Sequence, residues 1–139
     1  MQTRDIDIMA RTIYGEARGE YNKVNGGMAA LIAVGNVIKN RLEARSWFGR
    51  TIPEVCQKPF QFSCWNPGDL NAEKISHPFI TDPIFGICQK VAKKIINNEL
   101  PDITKGANHY YANTMSQAPK WSYGQRPILK LGNHIFYRI

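Results

Sequence analysis

Two glutamates stand four residues apart in Gly15-Glu16-Ala17-Arg18-Gly19-Glu20, in a chain of 139 residues with only 11 acidic side chains and a formal net charge of +7. Carboxyl groups in such a setting suit acid/base work, most familiarly the protonation of a leaving glycosidic oxygen. At ~100° per residue of helix, Glu16 falls about 20° from Met9 and about 60° from Ile13, beside the apolar stripe rather than opposite it. Partial burial there raises a glutamate's hold on its proton, as a general acid at neutral pH requires. The same position also suits an edge glutamate paired with a nearby Lys or Arg. Glu20 would fall nearer still to the apolar side, but Gly19 reads as a helix stop, and with Arg18 and Lys23 beside it Glu20 is expected to be solvated or ion-paired. Glycosidases that use two carboxylates set them ~5–9.5 Å apart across the scissile bond. Neighbouring positions on one helix suit that arrangement poorly.

A second candidate is Gln61-Phe62-Ser63-Cys64-Trp65-Asn66, where aromatic rings alternate with hydrogen-bonding side chains. Sugars call for both, because ring faces cover the apolar C–H side of a pyranose while amides and hydroxyls bind its polar substituents. Phe62 and Trp65 fit equally well as anchors of a loop into the core. His109 and His134 recur in related contexts, Asn108-His109-Tyr110-Tyr111 and Asn133-His134-Ile135-Phe136-Tyr137, and would approach each other if two strands paired there. They lack the close clustering of metal ligands, and a structural hydrogen-bonding role is expected. Cys56, Cys64 and Cys88, even with His77, match no close-paired zinc spacing, so neither metal nor cofactor is expected.

The elements that must position these groups follow from periodicity. Ile6, Met9, Ala10, Ile13 and Ala17 mark an amphipathic helix from Asp5 to about Arg18. After the Asn25-Gly26-Gly27 break, Met28, Leu31, Ile32, Val34, Val37, Ile38 and Leu42 mark a second, expected to be the central and most buried helix. Residues 46–82 read as a long loop region with short helical turns. Pro83 opens a third helix carrying Ile84, Ile87, Cys88, Val91, Ala92 and Ile95 on one face, with Cys88 a buried, inert thiol. Residues 107–113 and 131–139 are short, aromatic and β-compatible, and are expected to pair as two antiparallel strands. The fold class is therefore α+β and predominantly helical, in a single domain over 1–139 with a small C-terminal antiparallel sheet.

With 43% apolar residues and 11% aromatics, the composition is that of a folded globule. The 18 Lys and Arg are spread without a block, a field that favours polyanionic partners without choosing among nucleic acid, an anionic membrane and an acidic wall polymer. No apolar run approaches the ~20 residues of a membrane span, and the N-terminus lacks the apolar region of a secretory signal. The expectation is synthesis in the cytoplasm.

Five blocks, residues 10–20 (ARTIYGEARGE), 26–41 (GGMAALIAVGNVIKNR), 61–65 (QFSCW), 106–112 (GANHYYA) and 132–137 (GNHIFY), resemble in their order the SleB-type cell wall hydrolase family. The resemblance implies a lysozyme-like, lytic-transglycosylase fold with one essential glutamate, the first of the GEARGE block, here Glu16. It implies cleavage of the β-1,4 bond between N-acetylmuramic acid and N-acetylglucosamine in peptidoglycan, with a 1,6-anhydromuramyl product. Gln61, Phe62, Ser63, Trp65, His109, Tyr111 and Asn133 become candidates for substrate binding by their place in the blocks. The implied partner is the peptidoglycan glycan strand rather than nucleic acid, with an anionic envelope surface suited to the positive field and a monomer as the working unit. A phage-type endolysin or a small bacterial wall hydrolase, reaching the wall or periplasm after release, fits the missing export signal. There Cys56 and Cys64 are candidates for a disulfide. The rival readings are a hydrolytic muramidase using Glu16 with water, helped by Glu20 or Asp69, a metal-dependent amidase, and a noncatalytic wall- or nucleic-acid-binding module.

Overall fold

A computed structural model describes residues 2–59 and 61–139, and five α-helices and three strands occur among them. The helices are α1 (Gln2–Tyr21), α2 (Gly27–Ala44), α3 (Ile52–Gln57), α4 (Ala72–Ser76) and α5 (Pro83–Ile96), with 3-10 turns at Ser63–Trp65 and Lys120–Ser122. The strands β1 (His109–Ala112), β2 (Leu129–Leu131) and β3 (His134–Tyr137) form an antiparallel sheet in the order β1-β3-β2. This is the predominantly helical α+β architecture expected from the sequence, with the sheet at the C-terminal end.

The apolar stripe of α1 is buried as its period demands: Met9, Ala10, Ile13 and Ala17 have no exposure. α2 buries Leu31, Val34, Val37 and Ile38, and α5 buries Phe85, Cys88, Val91 and Ile95, into the same core. The hub differs from expectation. α1 packs against α2, α3, α4, α5 and the 3-10 turn Ser63–Trp65, whereas α2 meets α1, α3 and α5. The middle of α2 is buried from Ala33 to Ile38 while its two ends reach the surface, as at Met28 and Glu43, and α1 is the helix from which the rest is organised.

Side chains define several element ends. Asp82 caps α5, accepting from the Ile84 amide at 3.0 Å, with Pro83 in the first turn. Thr51 caps α3 by accepting from the Glu54 amide, and the Glu54 carboxylate accepts in turn from the Arg50 amide, both at 3.2 Å. Arg11 donates to the carbonyls of Ile75 and His77 at 2.6 Å and so ties the end of α4 to α1. Cys56, Cys64 and Cys88 are all buried free thiols. Burial pushes the Cys56 and Cys88 thiols up to about 12, so they stay in the inert form.

Two expected boundaries move. The first helix runs through Gly19 to Tyr21, because Gly19 faces open space and costs only its weak helix propensity, about 1 kcal/mol. The last β segment is not one strand but part of a hairpin. Gly132 turns between β2 and β3 with φ 56°, and a side chain there would collide with Glu20.

Candidate functional site

Glu16 leaves α1 towards the sheet, and three donors from distant parts of the chain meet its carboxylate. The Cys64 amide donates to Oε2 at 3.1 Å, the Ser63 hydroxyl reaches the same oxygen at 3.5 Å, and the Tyr110 hydroxyl donates to Oε1. Gly15 explains how the 3-10 turn comes so close. A Cβ at that position would lie 2.7 Å from Cys64 Cβ and 3.0 Å from Ile75 Cγ2, so only glycine lets residues 63–65 close onto α1 beside the glutamate. Burial, then the nearby Glu16 charge, holds the Tyr110 phenol well above its usual range. It therefore remains a donor.

The open side of Glu16 is a cleft of about 460 Å³ between α1, the 61–71 segment and the sheet. Gln61, Ser63 and Tyr111, named from the sequence, all line it, together with Arg41, Asn71, Tyr110, Trp121 and His134. Amides and aromatic rings thus surround one carboxylate. The Tyr111 ring is stacked on Tyr137 at 5.9 Å and meets the edge of Trp121 at the same separation, which stiffens the aromatic wall.

Arg41 is the strut beneath the cleft. Only 6% exposed, it donates to the Asn108 carbonyl at 2.8 Å and to Gln61 Oε1 at 2.9 Å, and lies 4.9 Å over the rings of both Phe48 and Phe62. Burial lowers its pKa, opposed by Tyr110 and Glu16, yet a guanidinium stays charged in proteins. Arg41 therefore joins α2, the 61–65 segment and the start of β1 with a fixed positive charge.

Other residues named from the sequence sit elsewhere. Phe62 is 1% exposed, a core ring beneath Arg41 and Tyr110. Trp65 packs on the core and donates from Nε1 to Thr12 at 2.9 Å, anchoring the loop to α1. His109 is held between Phe48 and Trp121, with Nδ1 2.9 Å from Asn108 Oδ1, and so backs a cleft residue without lining the cleft itself. Asn133 uses its backbone: its amide donates to Glu20 Oε1. Glu20 accordingly faces the β2–β3 turn rather than solvent or a cation, and the expected solvated or ion-paired state gives way to a bond with a backbone amide. The two histidines do not meet. His109 pairs with Tyr137 and His134 with Ala112, at opposite ends of the β1–β3 ladder.

Tyr110, Asn71, Arg41, Trp121 and His134 belong to the cleft but were not among the site residues expected from the sequence. For Tyr110 the alternation of side chains along a strand pointed away, since it sets Tyr110 on the face opposite His109 and Tyr111. For Asn71 and Trp121, which lie in irregular segments, no periodicity was available.

Burial lowers the pKa of both His109 and His134 below the ordinary value of 6.5. A histidine with a depressed folded pKa binds fewer protons folded than unfolded between the two values, so its stabilising contribution is complete above about pH 6.5 and is lost as pH falls through the folded value. Asp82 and Asp102 are also lowered, from 3.8, and act only in more acidic solution. The urea midpoint is therefore expected to drop between pH 7 and pH 5, and to drop less in His134→Phe. An unchanged or higher midpoint at pH 5 would contradict this assignment.

The comparisons with known proteins bear on the family and the fold. A family model described as Cell Wall Hydrolase matches residues 26–137. A spore cortex-lytic enzyme of Bacillus cereus is 29% identical over 133 residues, covering 95% of this chain and 43% of that protein, so the chain spans less than half of that relative. The crystal structure of the catalytic domain of the Bacillus cereus SleB protein superposes with a TM-score of 0.70 at 26% identity, covering 98% of this chain and 91% of that one. The catalytic domain of the germination-specific lytic transglycosylase SleB from Bacillus anthracis gives 0.68 at 28% identity, covering 96% and 93%. The fold is thus the lysozyme-like one of the SleB catalytic domain. The family match spans the second helix, the loop that meets Glu16 and the whole sheet, and by it this chain belongs to the cell wall hydrolase family.

Proposed function

We propose that the protein is a lytic transglycosylase that cleaves the MurNAc-β-1,4-GlcNAc bond of peptidoglycan, with Glu16 as its one acid and base. The observation that carries the reading is the solitary carboxylate: Glu16 is the only acidic side chain among the described residues lining the cleft. Glu20 is held by the Asn133 amide, and Asp69 by the Asn71 amide at 2.8 Å. A second carboxylate across the bond, as two-carboxylate glycosidases use, has no candidate there.

One carboxyl group suffices if the nucleophile comes from the sugar. Glu16, protonated, gives its proton to the glycosidic oxygen as the bond to C1 breaks and positive charge builds at C1. The carboxylate then takes the proton of the muramyl C6 hydroxyl as that oxygen bonds to C1, closing the 1,6-anhydro ring and restoring the acid. Tyr110, Ser63 and the Cys64 amide hold the carboxylate in place through both transfers. Tyr111 and Trp121 offer ring faces for the apolar side of a pyranose, and Gln61 and Asn71 offer amides for its hydroxyl and acetamido groups. The names of the relatives, a spore cortex-lytic enzyme and a lytic transglycosylase, point the same way.

Mass spectrometry of digested peptidoglycan separates this reading from hydrolysis. The expected products end in anhydromuramic acid, one water lighter than a reducing end. A digest holding only reducing muramic acid ends would make the protein a hydrolytic muramidase.

A further inference from the structure

Among the described residues, His134 Nδ1 is the one buried side-chain polar atom that has no hydrogen-bond partner. Leaving such an atom unpaired costs about 1–3 kcal/mol, and the position is a demanding one. His134 lies on the central strand β3 between Ala112 and Leu131, is 6% exposed, and packs its ring 4.9 Å from Tyr110 and 6.2 Å from Phe136. An apolar ring would fill this space without the penalty. Yet His134 is also part of the cleft wall that holds Glu16.

The tautomer follows from the orphan. A neutral imidazole carries one N–H and one bare nitrogen, and a buried N–H without an acceptor is rarer than an acceptor left unfilled. The bare nitrogen is then Nδ1, and the proton sits on Nε2. Since Nδ1 is sealed among the strands, the ring meets the cleft from its Nε2 side. The groups that face it are Glu16 and Glu20 from α1 and the Tyr110 phenol from β1. The two glutamates favour the imidazolium, but burial outweighs them and holds the ring neutral.

We propose that His134 is a substrate-binding residue, its Nε2–H donating to a hydroxyl or acetamido oxygen of the sugar seated beside Glu16. The proposal rests on the glycan-cleaving function above. A neutral donor matches a neutral sugar oxygen, whereas the Arg41 guanidinium directs its Nε and Nη1 donors at Asn108 and Gln61. The Tyr110 ring, tilted at 49° against the imidazole, joins this contact to the carboxylate, since its hydroxyl donates to Glu16.

The test is nitrogen NMR on Glu16→Gln protein labelled at its three histidines, a variant expected to bind glycan without turning it over. The His77 and His109 signals are assigned by their loss in single variants. The expected result is an Nε2–H tautomer for His134, with that resonance moving on saturation with a soluble GlcNAc-MurNAc oligomer while His77 stays still. In parallel, His134→Phe, which keeps the ring packing, should raise KM about tenfold with a smaller change in kcat, the effect of one lost hydrogen bond. His134→Gln should recover most of it. An Nδ1–H tautomer, or a still His134 signal in protein saturated with oligomer, overturns the proposal even where wild type cleaves peptidoglycan. If wild type neither binds nor cleaves glycan, the functional reading falls with it.

Discussion

Glu16→Gln leaves a folded protein whose peptidoglycan cleavage is at least ~10³-fold slower than wild type, as expected when a positioned general acid and base is removed. The expectation is strong because one group serves both proton transfers, and no other carboxyl lines the cleft among the described residues to substitute for it. Stability should change little. The glutamine carbonyl can accept from the Cys64 amide, and its NH2 group can donate to the Tyr110 oxygen, whose hydroxyl reverses its role. A thermal melt within a few degrees of wild type, alongside absent anhydro product, is the expected pair of results. Full activity in a well-folded variant would remove Glu16 from the mechanism. Glu20→Gln supplies the contrast: its carbonyl still accepts from the Asn133 amide, so turnover should stay within about twofold of wild type, since the side chain is held at the turn rather than in the cleft.

The largest effect on stability is expected at Arg41→Ala. Hydrogen bonds from a charged group contribute about 1.5–3 kcal/mol each when buried, and Arg41 makes two, to Asn108 O and Gln61 Oε1. Alanine leaves both acceptors unpaired and opens space between the Phe48 and Phe62 rings. Against this stands the relief of a buried charge, which burial already disfavours. The net expected loss is about 3 kcal/mol by urea denaturation, or roughly 10 °C in Tm for a chain of this size. A loss below about 0.5 kcal/mol would mean that the strut is replaceable by water. Activity should fall further than stability explains, because Gln61 loses the partner that fixes its amide at the cleft wall.

What could be read from the sequence was whatever is local or periodic. The three long helices were legible because apolar spacing at 3.6 residues per turn needs no knowledge of the partner, and the same rule placed Glu16 beside the buried stripe. Short-range chemistry was legible too, in the Pro83 start of α5 and the β-rich aromatic character of residues 107–113. Gln61, Ser63 and Tyr111 could be named by their place in ordered blocks, and the fold brings them to the Glu16 cleft. Boundaries decided by tertiary contact were not legible. Gly19 reads as a stop, yet Glu20 beyond it is fastened to the β2–β3 turn, 113 residues away in sequence. Residues 131–139 read as one strand, yet Gly132 must turn there.

The partners of the candidate acid belong wholly to the tertiary structure. Ser63, Cys64 and Tyr110 lie 47, 48 and 94 residues from Glu16, and such separations leave no period in a sequence. The same holds for Arg41, whose residue type announces a surface charge but whose burial between two phenylalanines makes it a strut. Glycine at position 15 was part of a motif before it had a reason; the reason is the distance to Cys64. The sequence by itself determined which helix carries the carboxylate and which way it turns, because helix phase is a local property. Only the fold decided that Glu16 stands in a cleft with donors around it and Glu20 does not, because closing distant segments onto one helix face is settled by packing.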